Sequence, residues 1–263
     1  MYLQEWDKIK GGRLIRLGAF ACWKDKSAKE RLEERAWEDG AKRMSEEQRS
    51  VFRSVQKEQL GSGIISISSV NQVKFRNNVF LVKKKSGTWC QILDCRPLNA
   101  TMKRLHFIYE SERTVEYLIQ KDDYAIMLDL AQAYYLIPVS PDLKLYLSFS
   151  FEGTDYSFEG MPFGFMDAPR IFTKIMRKET RAIKEKWNVR VIAYLDDMII
   201  LHQDKADFRN NQKPSDVVLG KFGVHGSQGQ MPVGTNDEIH IFGLRLGHKR
   251  IHSKIGRRQS FFS

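Results

Sequence analysis

The sequence predicts an α+β protein in which an antiparallel β-sheet packs on helices. Two observations support this class. Short apolar runs of strand length recur at residues 79–82, 89–93 and 124–128, and polar or glycine-containing turns bound them. A longer amphipathic segment at residues 170–187 has apolar side chains at helical spacing, and Pro169 lies at its first turn, where a missing N–H costs nothing.

Composition limits the classes to which this chain can belong. Its 263 residues are 42% hydrophobic and 11% aromatic, which is enough to bury a core. Lys and Arg number 43 against 32 Asp and Glu, and the net charge of +11 favours polyanionic partners, either nucleic acid or an anionic surface. The three cysteines have no metal-ligand spacing, and because their number is odd, no disulfide framework is expected. Without a signal-peptide pattern or an apolar run of membrane-spanning length, we expect an intracellular protein, cytoplasmic or nuclear, with no membrane partner.

The first half of the chain begins with helix and continues as strands. Residues 27–60 are highly charged with apolar positions at helical spacing, so a helix is predicted there and ends near Gly61 and Gly63. A short strand is expected at 64–67. Residues 83–87 have the composition of a hairpin loop between the next two strands.

The second half alternates between strands and helices. A short helix is predicted at 114–119, before the buried strand that ends near Asp129. Residues 143–151 alternate like a strand and meet a turn at Glu152 and Gly153. Residues 189–201 contain two apolar runs broken by two acids. The pattern then weakens until 239–246, where a last strand is expected.

Three carboxylates lie at the ends of predicted strands. Asp196 and Asp197 separate two apolar runs, where a two-residue turn normally prefers Asn-Gly or Asp-Gly. Two adjacent anions indicate either an ordinary polar turn or a place where a cation offsets their repulsion. Asp129 ends another buried strand, as a helix N-cap or as a third ligand. Together the three acids are a plausible cage for two Mg²⁺ ions, which can promote in-line phosphoryl transfer.

Four motifs in series carry a resemblance to a known family. They are Leu93-Asp94-Cys95-Arg96-Pro97-Leu98-Asn99, Leu128-Asp129-Leu130-Ala131-Gln132-Ala133-Tyr134, Met161-Pro162-Phe163-Gly164-Phe165-Met166-Asp167-Ala168-Pro169 and Tyr194-Leu195-Asp196-Asp197. In order and spacing they resemble the fingers motif, the first carboxylate motif, the substrate-binding loop and the catalytic tetrapeptide of reverse transcriptases. The resemblance covers residues 63–202, continues weakly to 246, and is nearest to long-terminal-repeat and DIRS-type retrotransposons and pararetroviruses.

The resemblance implies a right-hand polymerase with a palm and β-rich fingers. It divides the chain into a helical N-terminal extension (1–60), fingers (61–113), a palm with the catalytic motifs (114–205) and a degenerate end of the palm with a primer-grip-like strand (206–263). The thumb is expected to be absent or vestigial. The implied partners are an RNA or DNA template–primer, a dNTP and other polyprotein domains such as an RNase H, a recombinase or an integrase.

The resemblance also assigns roles at the metal ions. Asp129 and Asp196 would bind two Mg²⁺ ions, with Mn²⁺ as an alternative. Asp197 would support them, and Leu130 would offer its backbone carbonyl to one ion.

Further residues would bind the nucleotide. Tyr134 would be the aromatic steric gate against a ribose 2′-hydroxyl, with core packing as its alternative role. Phe163 and Gly164 would line the nucleotide site. Lys84, in the fingertip loop, would reach the triphosphate, with Lys83 as its rival.

Two positions depart from the family pattern. Cys90 follows Trp89 where the family has an arginine, and a thiol cannot replace a guanidinium. Gln230 occupies the place of a lysine that would help to protonate pyrophosphate. The sequence therefore predicts RNA-directed DNA polymerisation onto a primer 3′-hydroxyl, and the alternative is a decayed copy that folds and binds nucleic acid without polymerising. A palm polymerase that makes RNA is a third hypothesis, and Tyr134 argues against it.

Overall fold

The computed structural model describes residues 3–35, 44–83, 89–108, 117–120, 123–130, 133–194, 197–203, 229–232, 239–241 and 244–246. The helices are α1 (Leu3–Lys8), α2 (Gly12–Leu17), α3 (Ala28–Glu33), α4 (Glu46–Gly61), α5 (Arg96–Thr101), α6 (Pro141–Lys144) and α7 (Ala168–Trp187). The strands are β1 (Ile65–Ser68), β2 (Asn78–Lys83), β3 (Trp89–Asp94), β4 (Tyr124–Asp129), β5 (Ser148–Phe151), β6 (Thr154–Phe158), β7 (Arg190–Tyr194), β8 (Asp197–His202), β9 (Gly229–Pro232), β10 (Ile239–Ile241) and β11 (Leu244–Leu246).

The chain forms two compact units, each built from separated segments. The first unit contains Met1–Ile15, Phe107–Ala133 and Pro169–Ser263, and the second contains Arg16–His106 and Tyr134–Ala168. The predicted division into an N-terminal extension, fingers and palm is a functional one, and it stays a prediction.

The first unit has a four-stranded antiparallel sheet with the strand order β7-β8-β4-β9. Leu118 and Ile119, from the predicted short helix, pack against the buried side chains of Ile192 and Leu201 on this sheet. The amphipathic pattern of α7 is confirmed, because its residues Phe172, Ile175, Met176 and Ile183 are buried.

The second unit contains a three-stranded antiparallel sheet, β1-β6-β5, and the hairpin β2-β3. Helix α4 packs its buried Phe52 against Phe149 and Phe151 of β5, with ring centroids 6.1 Å and 4.5 Å away. A capping box begins this helix. The backbone N–H of Gln48 donates to Ser45 Oγ, and the backbone N–H of Ser45 donates to Gln48 Oε1.

Three predicted elements were wrong in detail. The helix predicted at 27–60 is interrupted, because α3 ends at Glu33 and the Ser45 cap begins a new helix. The strand predicted at 143–151 begins only at Ser148. Ser140 caps α6 through the Leu143 amide, and Pro141 at its first turn favours a helix there. The single strand predicted at 239–246 is instead the antiparallel pair β10 and β11, with Phe242 and Gly243 outside the described residues.

Two further predictions concern the thiols and the hydropathy. Cys22, Cys90 and Cys95 are all free cysteines, as the sequence predicted. Among the described helices, none combines the length and the apolar character that a membrane span requires.

Candidate active site

Two of the three predicted carboxylate residues lie opposite each other on the sheet of the first unit. Asp129 is the last residue of β4, Asp197 is the first residue of β8, and the two are direct register partners. Directly opposed residues of an antiparallel pair have Cα atoms about 4.5–5.5 Å apart. The side chains of both residues, and all of Asp196, lie outside the described part of the structure.

The hairpin β7-β8 positions this end of the sheet. Tyr194 pairs with Asp197, so Leu195 and Asp196 are the two residues that connect the strands. Val191 and Met198 are fully buried in this hairpin, which explains why its strands read as continuous apolar runs. Leu130, which follows Asp129 directly, is also buried.

A buried ion pair lies at the opposite end of the strands of the same sheet. Arg190 begins β7, and its guanidinium donates to Asp123, which directly precedes β4, and to the Leu118 carbonyl at 2.6 Å. The second Asp123 carboxylate oxygen accepts from the backbone N–H of Gln120 at 2.7 Å, and the side chain of Asp123 is fully buried. The sequence analysis missed this pair, although an acid and an arginine that each border a buried strand were visible in it.

Gln230, one of the two positions that depart from the predicted pattern, lies on β9. Its backbone pairs with Ile126 of β4, so the glutamine is on the edge strand beside the strand that ends at Asp129. This edge strand was not predicted, because the segment around it is rich in Gly, Gln and Asn and lacks apolar periodicity.

The hairpin β2-β3, which was predicted to belong to the fingers, pairs along its full length, from Asn78 with Asp94 to Lys83 with Trp89. The ammonium group of Lys83 lies over the Trp89 ring, 5.7 Å from its centroid, which is a cation–π contact. Lys84 lies outside the described residues. Cys90 is half-buried, and its thiol donates to the Gln91 carbonyl at 3.7 Å.

The fingers motif contains a charged pair at its surface. Arg96 donates to both Asp94 carboxylate oxygens, at 2.7 Å and 2.6 Å, while its own side chain is 87% exposed. These hydrogen bonds hold the pKa of Asp94 below its ordinary value. Arg96, the first residue of α5, keeps most of its side chain accessible to solvent.

The predicted substrate loop is anchored closely to its neighbours. A Cβ added to Gly160 would lie 1.7 Å from the Tyr135 carbonyl oxygen, so only glycine fits this backbone approach. Gly164 has φ 104°, and a Cβ there would lie 2.3 Å from the Leu93 carbonyl oxygen. The Asn99 side chain bridges Gly164 and Met166, a role that the sequence analysis did not assign.

Three aromatic rings cluster beside this loop. Phe163 meets Tyr134 and Tyr135 edge-on, with centroid distances of 5.5 Å and 5.4 Å. The side chain of Tyr134 is buried, and it contacts Phe163, which was predicted to line the nucleotide site. Burial, reinforced by Cys90, raises the pKa of the Tyr135 hydroxyl far above its usual value.

Among the described residues, no group of three or more His, Cys, Asp or Glu side chains could hold a metal ion. The predicted ligands Asp129, Asp196 and Asp197 are outside that set, because their side chains are not described. Their donor chemistry suits a hard cation, since Mg²⁺ prefers carboxylate oxygens.

Solved structures share this mixed helix and antiparallel-sheet fold. The chain resembles the protease–reverse transcriptase of prototype foamy virus with a TM-score of 0.60 at 18% identity, covering 90% of this chain and 29% of that one. It also resembles a foamy viral protease–reverse transcriptase in complex with double-stranded DNA, with a TM-score of 0.64 at 16% identity over 92% of this chain and 41% of the other. The chain therefore shares the fold of the aligned part of these structures, and the predicted α+β class is confirmed.

Sequence comparison identifies the family. Residues 82–231 match the model of the reverse transcriptase (RNA-dependent DNA polymerase) family, and the chain belongs to this family. It is 25% identical over 170 residues to the Gag-Pro-Pol polyprotein of sheep pulmonary adenomatosis virus and 29% identical over 126 residues to the Pro-Pol polyprotein of simian foamy virus type 1. These matches cover 62% and 48% of this chain, and the chain spans 10% of the length of each relative. The predicted resemblance to a retroelement reverse transcriptase is confirmed.

Proposed function

We propose that this chain extends a primer 3′-hydroxyl with deoxynucleotides on an RNA template, using two divalent cations held by Asp129, Asp196 and Asp197. Membership of the RNA-directed DNA polymerase family supports the reaction class. The observation that carries the site assignment is the register of β4 with β8, in which Asp129 and Asp197 are partners at one sheet end. Asp196 belongs to the two-residue connection beside them.

The carboxylates fit Mg²⁺ by their chemistry, and Mn²⁺ is the alternative ion. When bound, two such ions would activate the attacking hydroxyl and neutralise charge on the leaving pyrophosphate. The acids of this chain hold the cations, and the Leu130 carbonyl offers a further oxygen ligand.

Residues of the second unit supply nucleotide contacts in this proposal. Phe163 and Gly164 line the nucleotide site, and Tyr134 crowds a ribose 2′-hydroxyl. Lys84 binds the triphosphate as a point charge. Lys83 remains its rival, and the stacking of Lys83 on Trp89 favours Lys84 for this role.

The proposed partners are an RNA or DNA template–primer and, in a longer polyprotein, further domains. The net charge of +11 supports binding to a polyanion. A basic surface on α7 adds to it, since Lys174, Arg177, Arg181 and Lys184 are all exposed.

Primer extension on an RNA template with Mg²⁺ tests the proposal. The wild-type chain is expected to incorporate dNTPs in preference to NTPs, and Asp196→Asn is expected to lower the rate by at least about a hundredfold, because one charged ligand is lost. Asp142→Asn, at an exposed aspartate of α6, is the matched control and keeps full activity.

The outcomes separate three hypotheses. Incorporation that survives Asp196→Asn contradicts the site assignment. RNA binding without incorporation by the wild-type chain selects the decayed copy, for which Cys90 and Gln230 are the supporting departures. Preferential incorporation of NTPs selects a polymerase that makes RNA.

A further inference from the structure

The side chain of Asn99 holds the substrate loop at two backbone positions. Asn99 lies in α5, within the fingers motif. Its Nδ2 donates to the Gly164 carbonyl at 2.8 Å, and its Oδ1 accepts from the Met166 amide at 3.0 Å. The side chain is partly buried, so loss of either bond would leave a backbone polar group with less access to water.

Few residues could make this bridge. It needs a donor and an acceptor on one short side chain, and only an amide provides both with fixed geometry. A leucine of similar size makes neither bond, while an aspartate keeps the acceptor and loses the donor.

The bridge is one of several backbone contacts that flank Phe163. Gly160 is pressed against the Tyr135 carbonyl on one side of Phe163, and Gly164 against the Leu93 carbonyl on the other. The Met161 amide also donates to the Ile137 carbonyl at 3.0 Å. Asn99 completes the anchoring on the Gly164 side, so the short segment between the anchors has little freedom to move.

The ring of Phe163 in turn packs on Tyr134. The two rings meet at 85° with centroids 5.5 Å apart, and Phe163 meets Tyr135 in a similar way. A shift of the loop would therefore remove the contact of Phe163 with the Tyr134 ring.

We propose that Asn99 is a positioning residue for sugar selection, acting through Phe163 on Tyr134. This inference rests on the proposed function, in which Tyr134 discriminates against ribose. Without the bridge, Phe163 can retreat, the Tyr134 ring gains freedom, and a 2′-hydroxyl is tolerated better.

The test is the ratio of kcat/KM for a dNTP to that for the matching NTP. In Asn99→Leu this ratio falls about tenfold, because a polar bridge worth roughly that factor no longer holds the loop. Asn99→Asp gives a decrease in the same direction, and it serves as a second variant if Asn99→Leu folds poorly. Asn71→Leu, at an exposed asparagine of the same unit, leaves the ratio unchanged.

A double-mutant cycle identifies the route of the effect. In a Phe163→Leu background, Asn99→Leu produces no further change in the ratio if Asn99 acts through Phe163. Parallel losses of kcat/KM for both nucleotides, or additive effects in the cycle, overturn the inference and assign Asn99 a merely structural role.

Nucleotide binding followed by tryptophan fluorescence separates this inference from the proposed function. If the wild-type chain binds nucleotides without incorporating them, only the polymerase proposal fails. In that case Asn99→Leu must still lower the ratio of the NTP dissociation constant to the dNTP dissociation constant. A wild-type chain that binds neither nucleotide overturns both proposals.

Discussion

The pair of Asp123 and Arg190 lies at the end of the sheet away from the predicted acids. Its residues border β4 and β7, which run parallel to each other on either side of β8. The carboxylate is fully buried and satisfied by both Arg190 and the Gln120 amide. Removing one partner of a buried ion pair is strongly destabilising, because water cannot solvate the remaining group in the protein interior.

Removal of the arginine is therefore expected to be strongly destabilising. Arg190→Met should lower the free energy of unfolding by about 3–5 kcal/mol, since the buried Asp123 side chain loses its ion-pair partner. Urea unfolding measures the change, with Arg181→Met at an exposed position of α7 as the control. A loss no larger than that of the control would mean that Asp123 does not depend on this partner.

At the scale of elements, strands and hairpins with strong apolar runs were predictable. Strands β4, β7 and β8 lie where apolar runs predicted them. The buried side chains of Val191 and Met198 explain the apolar runs of β7 and β8. The fingers hairpin and α7 followed from alternation and helical periodicity. The convergence of the acids was predicted from their positions at strand ends and from the family resemblance. The direct register of Asp129 with Asp197 was not predicted, since register between distant strands leaves no local signal.

Other elements had no adequate local signal. The strand β9 is short and polar, and its pairing with β4 supplies what its sequence lacks. The helix α6 interrupts an alternating pattern because one serine cap decides its conformation. Asn99 belongs to one of the four motifs, but its hydrogen-bond partners Gly164 and Met166 lie 65 and 67 residues further along the chain, so the motif alone did not predict them.

The attachment of α4 to the turn after β5 depends on charge. Arg53 donates to the Glu152 carboxylate at 2.7 Å, and Glu152 occupies the left-handed region with φ 49°, where glutamate is uncommon. The Arg53 hydrogen bond holds the pKa of Glu152 below its ordinary value. A carboxyl whose pKa is lower in the folded state stabilises the protein above its unfolded pKa, and this contribution is lost as the pH falls through the folded pKa.

This linkage predicts a pH-dependent effect of Arg53→Met. The variant should have a lower urea midpoint than the wild-type chain at pH 7. The difference should shrink as the pH falls below about 4.3, the ordinary pKa of glutamate, because protonated Glu152 no longer gains from Arg53. Lys57→Met, at an exposed position of the same helix, should show no such trend. A difference in midpoint that stays constant down to acidic pH would contradict the ionic attachment.

At the scale of the whole molecule, the motifs are distributed over two discontinuous units. The carboxylate residues Asp129 and Asp197 belong to the first unit, while the fingers motif and the substrate loop belong to the second. The proposed function requires that Asp129, Asp196 and Asp197 act together as one metal site.

Binding of Mn²⁺ measured by electron paramagnetic resonance tests that claim most directly, because it does not require turnover. With a template–primer and a non-hydrolysable dNTP analogue, the wild-type chain should bind two Mn²⁺ ions, as expected for a two-metal site. Asp129→Asn and Asp197→Asn should each weaken this binding by at least about tenfold, while Asp142→Asn should not. Unchanged Mn²⁺ binding in both acid variants would contradict the proposed site.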